Sequence, residues 1–267
     1  MKKMPILAAA LVAVAAFACS QVEVLAVSED PVVFVLPESA APAEPIATAQ
    51  LGNEAENKLY DDVQTALYKM ETEVSVQTNG LAEEDVLRVV RLAYNAPDIF
   101  WAKSGAFVLD PTEEGMATFR FEYNCTAEER DLTFAAICQM ADKIVTLSDG
   151  TLEGVASFTA EWLMENVTYD ARGGEPGRSN AQVTSALKDG LTVCSGYSKA
   201  LDFVLLRAGY NAAYITGETE AGLHAWAAYE DNDRILYGDI TFDCINCQFD
   251  PHANAENVSV LWLEPIA

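Results

Sequence analysis

Three side chains in the second half of the chain, a thiol, an imidazole and a carboxylate, are of the types that together carry nucleophilic catalysis. Cys194 lies at a predicted loop-to-helix junction, His224 begins an apolar strand, and Asp239 lies on the next strand. The unpaired N–H groups and the dipole at the start of a helix stabilise a thiolate. An imidazole beside the thiolate can act as base and acid, and a carboxylate can hold the imidazole in one tautomer. The three residue types therefore predict nucleophilic chemistry at Cys194.

Each of these residues also has a structural interpretation when it is considered alone. Cys194 could be a buried thiol on an amphipathic helix, His224 a core histidine with satisfied nitrogens, and Asp239 a turn residue. The chain has only two histidines, so an imidazole base has few places to come from. The order Cys, His, Asp is less expected by chance than any one of the three, and this favours the functional interpretation.

The elements that must position these side chains follow from apolar periodicity and breaker residues. A helix is predicted to begin at Cys194, and strands are predicted over 224–229 and 235–241. A hairpin between the two strands would bring His224 and Asp239 to one end of a sheet, facing the start of the helix. Backbone N–H groups at that helix start would supply half of an oxyanion hole.

The rest of the chain is predicted to mix helices with strands. Helices are predicted over 54–75, 81–97, 127–147, 152–166 and 183–187, and strands over 100–109, 117–123, 213–216 and 258–263. The run Thr126-Ala127-Glu128-Glu129 is typical of a capping box that begins a helix. The pattern predicts an α+β fold.

At these residues the sequence resembles the transglutaminase-like superfamily, a papain-related group with a Cys-His-Asp triad. The resemblance lies in Gly190-x-x-Val193-Cys194-x-Gly196-Tyr197, His224-Ala225-Trp226 and Asp239-x-Thr241, and with Tyr169-Asp170 it covers about residues 150–243. It implies an α+β core in which the nucleophile helix packs on an antiparallel sheet, preceded by an N-terminal helical and β extension. It also implies Cys194 as nucleophile, His224 as base and acid, and Asp239 as orienting carboxylate, with no cofactor and no metal.

The resemblance further implies acyl transfer through a thioester on Cys194, with a peptide or protein as substrate. Release of the acyl group by water would make the protein a peptidase, and release by an amine would make it a cross-linking transglutaminase. Exported bacterial relatives favour the peptidase. The alternative is a non-catalytic binding or scaffolding module of the cell surface with the same fold, which the large N-terminal half and the extreme charge favour.

The charge balance excludes one class of partner. Sixteen basic and forty-one acidic residues give a net charge of −25. Nucleic-acid affinity depends on Lys and Arg side chains that neutralise phosphates, so we expect no nucleic-acid partner. The same charge repels anionic headgroups, which leaves a lipid anchor as the only expected contact with a membrane.

The N-terminal residues predict export. Residues 1–18 have a basic start, an apolar stretch and small residues before a cleavage site, which is typical of a signal peptide. Cys19 follows directly, as in bacterial lipoproteins, and predicts a lipid anchor at a bacterial cell surface; secretion after ordinary cleavage is the alternative. Residues 19–53 are predicted to be a disordered linker, 54–149 an N-terminal α/β region and 150–267 the catalytic domain.

The remaining cysteines and the second histidine leave several options open. Cys125, Cys138, Cys244 and Cys247 could form two disulfides in any of three connectivities. Cys244 and Cys247 could instead be half of a zinc site, with His252 as a further ligand. His252 lies in a polar turn and is predicted to be solvated, and Trp226 is predicted to pack behind the three reactive side chains.

Overall fold

The computed structural model of the chain describes residues 31–111, 115–172, 180–232 and 234–266, with the side chains of 104–111 left out. The predicted signal peptide, the anchor at Cys19 and the first part of the predicted linker lie outside the described residues. None of the described helices is both long enough and apolar enough to cross a membrane.

The described elements alternate between helices and strands along the chain. The helices are α1 (Glu54–Tyr68), α2 (Glu83–Tyr94), α3 (Ala127–Leu147), α4 (Leu152–Asn166), α5 (Val183–Leu187) and α6 (Cys194–Arg207). The strands are β1 (Ala47–Gln50), β2 (Glu73–Gln77), β3 (Ala102–Pro111), β4 (Met116–Tyr123), β5 (Thr168–Tyr169), β6 (Leu191–Thr192), β7 (Ala212–Thr219), β8 (Gly222–Asp231), β9 (Arg234–Asp239), β10 (Cys244–Cys247) and β11 (Glu256–Pro265). A 3-10 turn over Ile240–Phe242 follows β9.

The main sheet has six antiparallel strands in the order β1-β11-β7-β8-β9-β10. A second sheet has the order β2-β4-β3, and β5 forms a short parallel pair with β6. The predicted α+β class with an antiparallel sheet is confirmed.

Helix α6 is the central helix of the fold. It packs on β8 and contacts α3, α4 and α5. Every residue from Gly196 to Leu206 is buried, including the charged Lys199 and Asp202, so other elements enclose the helix on all sides. A Cβ at Gly238 of β9 would lie 2.7 Å from Leu201 Cδ2, so a glycine is needed where the helix approaches the sheet. This close approach sets the start of α6 beside the ends of β8 and β9.

The prediction of a disordered linker over 19–53 is wrong for its last part. Residues 47–50 form β1, an edge strand that pairs with β11, and Ala47 and Ala49 are buried. The Pro/Ala/Glu composition ahead of β1 hides this strand, because two alanines give little apolar signal and the pairing partner lies more than 200 residues away.

Two further differences concern short elements. The helix predicted over 54–75 ends at Tyr68, because Met70 has a left-handed φ of 54°, and β2 follows. The segment between the strands predicted over 235–241 and 258–263 contains an additional strand, β10. The predicted boundary between 149 and 150 falls between α3 and α4, which contact each other and α6 within one compact unit that starts at Pro31.

Candidate active site

The structure brings the three predicted side chains together at one end of the main sheet. His224 lies near the start of β8 and Asp239 at the end of the antiparallel β9, so both face the same end. His224 Nε2 lies 2.7 Å from Asp239 Oδ2. The Cys194 side chain lies beside the same imidazole, close enough to raise the pKa of His224. Because Asp239 occupies Nε2, the nitrogen left for the thiol is Nδ1.

Cys194 is the first residue of α6. Val193 before it is extended, and no side chain caps the helix there. The N–H groups of a first helical turn have no partner within the helix, and the dipole places partial positive charge among them. Cys194 is half-buried and is not in a disulfide, so its sulfur combines a thiolate-stabilising position with access from outside.

Tyr169 of β5 is an electrostatic neighbour of Cys194. Burial and the negative charge of Cys194 raise the pKa of Tyr169, while a hydrogen bond with the Cys194 backbone lowers it. A backbone hydrogen bond that favours the phenolate is one donated by the amide N–H. That N–H is the donor to which an oxyanion formed at Cys194 would bind, and sequence reasoning did not identify Tyr169 as its partner.

The residues before Cys194 are fixed by the short pair β5–β6. The Asp170 N–H donates to the Thr192 carbonyl at 2.7 Å, and Thr192 Oγ1 donates to the Asn180 carbonyl at 2.9 Å. A Cβ at Gly196 would overlap Thr192 Oγ1 and would lie 2.7 Å from Ser185 Oγ. The α-hydrogen of Gly196 therefore faces this buried polar contact.

The carboxylate of Asp239 is held on both oxygens. Oδ1 accepts hydrogen bonds from the N–H groups of Thr241 at 3.0 Å and Phe242 at 3.3 Å. Asp239 is 1% exposed. Burial raises the pKa of Asp239, but the hydrogen bonds and charges of the two imidazoles outweigh burial and hold the pKa below its usual value. Asp239 is therefore a buried anion that is compensated locally.

The imidazole of His224 is made strongly basic by its partners. Burial lowers the pKa of His224, whereas the hydrogen bonds and charges of Asp239 and Cys194 raise it, and the net result is a pKa of about 9. At neutral pH the ring therefore holds its proton between a carboxylate and a sulfur. An imidazolium beside a sulfur favours the nucleophilic thiolate form in general.

His252 is the second side chain that sequence reasoning missed, and the prediction that it is solvated is wrong. His252 Nε2 lies 2.6 Å from Asp239 Oδ2, the same oxygen that His224 contacts, and the His252 side chain is 12% exposed. The turn folds onto the sheet because the His252 N–H donates to Asp250 Oδ1 and the His252 carbonyl accepts from Ala255. The chain has only two histidines, and the second follows the strand that carries Asp239 by thirteen residues. That proximity was the one signal in the sequence that His252 could belong to the site.

Aromatic rings enclose the two imidazoles. Trp226 is fully buried, with its ring centroid 6.1 Å from that of His224 and 4.9 Å from that of His252. Its predicted position behind the reactive side chains is confirmed. Phe242 lies 5.1 Å from His224 on the outer side and is exposed. A cavity of about 310 Å³ opens beside His252, between Phe242 and Glu220.

One group among the described residues could supply ligands to a metal ion. Potential ligand atoms of His224, Asp239 and His252 lie within 4.8 Å of one another. Both Nε2 atoms are at hydrogen-bond distance from a carboxylate oxygen, which requires each to carry a proton. A metal ligand needs a lone pair there instead. The group is therefore arranged for hydrogen bonding.

The other cysteines are arranged differently from the zinc alternative. Cys244 and Cys247 form a disulfide next to Asp239, which pairs with Cys244 across β9 and β10. Cys125 and Cys138 are free thiols. Of the disulfide options left open by the sequence, one bridge is formed, and Cys244 and Cys247 are not available to zinc.

The family comparison agrees with this geometry. Residues 139–235 match the model of the transglutaminase-like superfamily, which confirms the resemblance predicted from the sequence. The matched segment contains Cys194 and His224 and ends four residues before Asp239. It covers little more than a third of the chain and begins inside α3.

Solved structures align with parts of the chain at low identity. A structure described as a TGase aligns with a TM-score of 0.38 and 12% identity over 68% of this chain and 53% of its own, so the chain spans about half of its length. A candidate cysteine protease from Cytophaga hutchinsonii aligns with a TM-score of 0.29 and 12% identity over 72% of this chain and 77% of its own. A candidate protease from Parabacteroides distasonis aligns with a TM-score of 0.27 and 10% identity over 52% of this chain and 36% of its own. A search of curated proteins found no match.

Proposed function

We propose that Cys194, His224 and Asp239 form the catalytic triad of a cysteine acyl-transfer enzyme that hydrolyses peptide or glutamine-type amides. The observation that carries this proposal is the chain of contacts from a helix-start thiol through an imidazole to a buried carboxylate. Each contact has the direction that the chemistry requires, because the carboxylate holds one ring nitrogen and leaves the other for sulfur.

In the proposed reaction the Cys194 thiolate adds to the amide carbon, and the carbonyl electron pair moves to oxygen. The Cys194 N–H stabilises this oxyanion once the substrate has displaced the Tyr169 hydroxyl. The adduct then collapses with cleavage of the C–N bond, and the amine leaves with the proton of His224. Water adds to the resulting thioester, gives a proton to His224, and the second collapse releases a carboxylic acid and the thiolate.

The surroundings of the site support an extended peptide as substrate. Cys194 is half-buried, and Phe242, whose ring centroid lies 5.1 Å from that of His224, is an exposed apolar side chain. Exposed apolar residues at the rim of a reactive site are typical of surfaces that bind side chains of a partner. Hydrolysis is favoured over amine transfer by the resemblance to exported bacterial peptidases.

The compartment is part of the same proposal. The protein is proposed to act outside the cytoplasm, at a bacterial cell surface or secreted, after removal of residues 1–18. The Cys244–Cys247 disulfide supports this, because such bonds persist in oxidising compartments. An anchor at Cys19 would make the membrane contact indirect.

The first test measures thiol reactivity. The full chain is treated with iodoacetamide at pH 7, and alkylation of each cysteine is followed by peptide mass spectrometry. Burial raises the pKa of Cys125, and it raises the pKa of Cys138 to about 11, so these two thiols are internal controls. We expect Cys194 to react at least ~10-fold faster than either, because the thiolate is the nucleophile. The His224→Ala variant is expected to lose this excess, and equal rates in the two proteins would contradict the proposal.

The second test measures turnover. Denatured proteins and peptide libraries are incubated with wild type and with Cys194→Ala, with and without an added primary amine, and products are identified by mass. Hydrolysis by wild type alone supports a peptidase, and incorporation of the amine supports a transglutaminase. If both proteins are inactive while the variant still captures the same partners, the scaffolding alternative is correct.

A further inference from the structure

Asp239 serves two imidazoles through a single oxygen atom. Oδ2 lies 2.7 Å from His224 Nε2 and 2.6 Å from His252 Nε2, while Oδ1 is occupied by two backbone N–H groups. A carboxylate has about four acceptor positions, so all of them are in use. The N–H group of His252 therefore donates a hydrogen bond to the same carboxylate oxygen that accepts the hydrogen bond of His224, and both rings interact with one negative charge.

The position of His252 is built into the fold. Its ring packs between Trp226 and Phe242, with centroids 4.9 and 5.4 Å away, and lies 4.8 Å from the ring of His224 in an edge-on arrangement. The backbone contacts with Asp250 and Ala255 fix the turn that carries it. These contacts hold the His252 ring against Asp239 and leave it little exposed surface.

We propose that His252 is a positioning residue, which fixes the Asp239 carboxylate and takes up part of its charge, so that His224 releases its proton more readily. This inference rests on the proposed function, since it concerns the acid–base group of that reaction. A general acid works best when its pKa lies near the working pH. Asp239 alone would hold the proton of His224 too firmly for transfer to a leaving amine, and the second donor reduces that hold.

Other ionisable groups around the pair do not replace His252. Cys194 reaches His224 from α6, and Tyr169 reaches the Cys194 backbone from β5. Asp250 contacts the backbone N–H of His252, and Glu220 lines the adjacent cavity. His252 is the one side chain besides His224 that the described residues place on an oxygen of Asp239.

The experiment compares two variants of His252. In His252→Gln the side-chain amide can place an N–H donor near the position of Nε2, whereas His252→Phe keeps the ring volume between Trp226 and Phe242 and removes the donor. The chain has two histidines, so the imidazole resonances of 15N-histidine-labelled full-length protein are assigned from these variants. The titration of His224 is followed by NMR, and the pH dependence of Cys194 alkylation is followed in parallel.

We expect His252→Phe to raise the pKa of His224 by roughly half to one unit, because the carboxylate charge is no longer divided. The pH at which Cys194 becomes reactive is expected to fall in the same variant, because a more strongly held imidazolium stabilises the thiolate. His252→Gln should retain the wild-type values. A structural role alone would change the melting temperature of both variants and leave the His224 titration in place.

Three results would overturn the inference. The first is a His224 pKa that does not change in His252→Phe, and the second is a His252→Gln variant that behaves like His252→Phe. The third is a wild-type protein in which EDTA alone shifts the His224 pKa to its value in His252→Phe. The last would mean that a metal ion joins the two rings. Failure of the proposed function is separate: a wild-type protein that shows the His252-dependent titration but hydrolyses no peptide contradicts only the catalytic proposal.

Discussion

The charge of the His224 ring is set by two neighbouring residues and by burial. Asp239 accepts a hydrogen bond from one ring nitrogen and Cys194 lies on the other side of the ring, and both raise the pKa of His224, whereas burial lowers it. The first two effects exceed the third, which is why the imidazole stays protonated at neutral pH. Reactivity of the thiol is in this sense a property of the group and not of the cysteine alone.

The stability of the fold should depend on pH through His224. Its pKa rises from 6.5 to about 9 on folding, so the folded state binds the proton more tightly. The resulting stabilisation is fully present below pH ~6.5 and is lost as the pH rises through ~9. We expect the free energy of unfolding to fall by about 1–3 kcal/mol over this window, measured by urea denaturation.

The matched control for this measurement is His224→Gln. The variant lacks the titrating ring, so its stability should change little between pH 6.5 and 9 apart from effects shared with wild type. If the free energy of unfolding changes equally with pH in the two proteins, the assignment of the raised pKa to His224 is contradicted.

Single residues differed in how far the sequence could predict them. Cys194, His224 and Asp239 were predicted because a helix start, a strand and the following strand are local signals. His252 and Tyr169 were not, because their contacts join a turn and a two-residue strand to distant parts of the chain. Burial of His252 depends on how the turn at Asp250 folds onto the sheet, and no local pattern encodes that.

At the level of elements, the start of α6 depends on close packing against the short pair β5–β6. We expect Gly196→Ala to destabilise the protein by about 2 kcal/mol or more, because its methyl group would overlap the buried Thr192 hydroxyl. Alkylation of Cys194 should slow in the same variant, because the helix start must move. Thermal or urea denaturation and the alkylation assay measure the two effects.

Gly154 in the first turn of α4 provides the comparison for Gly196. A Cβ at Gly154 would overlap the carboxylate of Asp149, which is the exposed end of a side chain and can move aside. Gly154→Ala should therefore be nearly neutral, with the helix propensity of alanine offsetting the lost contact. Equal destabilisation by both substitutions would mean that the Thr192 contact is not decisive.

Most helices were predictable, and the short strands were not. α4 and α5 have their predicted bounds, and α3 begins at its predicted capping box, with Thr126 and Glu129 making reciprocal bonds. By contrast β1, β2, β5, β6 and β10 were missed. A strand of two to five residues carries too little periodicity of its own, and its partner strand determines it.

At the scale of the whole molecule, the segment before α1 belongs to the folded unit. We expect a chain that starts at residue 54 to be less stable than one that starts at residue 31, by about 1–3 kcal/mol, because it lacks the β1 ladder and the burial of Ala47 and Ala49. It should also self-associate, since β11 becomes an open edge. Urea denaturation and light scattering measure these effects, and equal stability would restore the linker interpretation of residues 47–53.

Adjacent placement of β1 and β11 has a consequence for the connectivity of the chain. The Ile266 N–H donates to the Ile46 carbonyl at 2.9 Å, so the two limits of the sheet-forming region touch. The same sheet could therefore form from a chain in which the strands follow one another in a different covalent order. A gene rearranged to join these two positions and to open at the exposed Gly150 turn would encode a circular permutant with every pairing of the main sheet preserved.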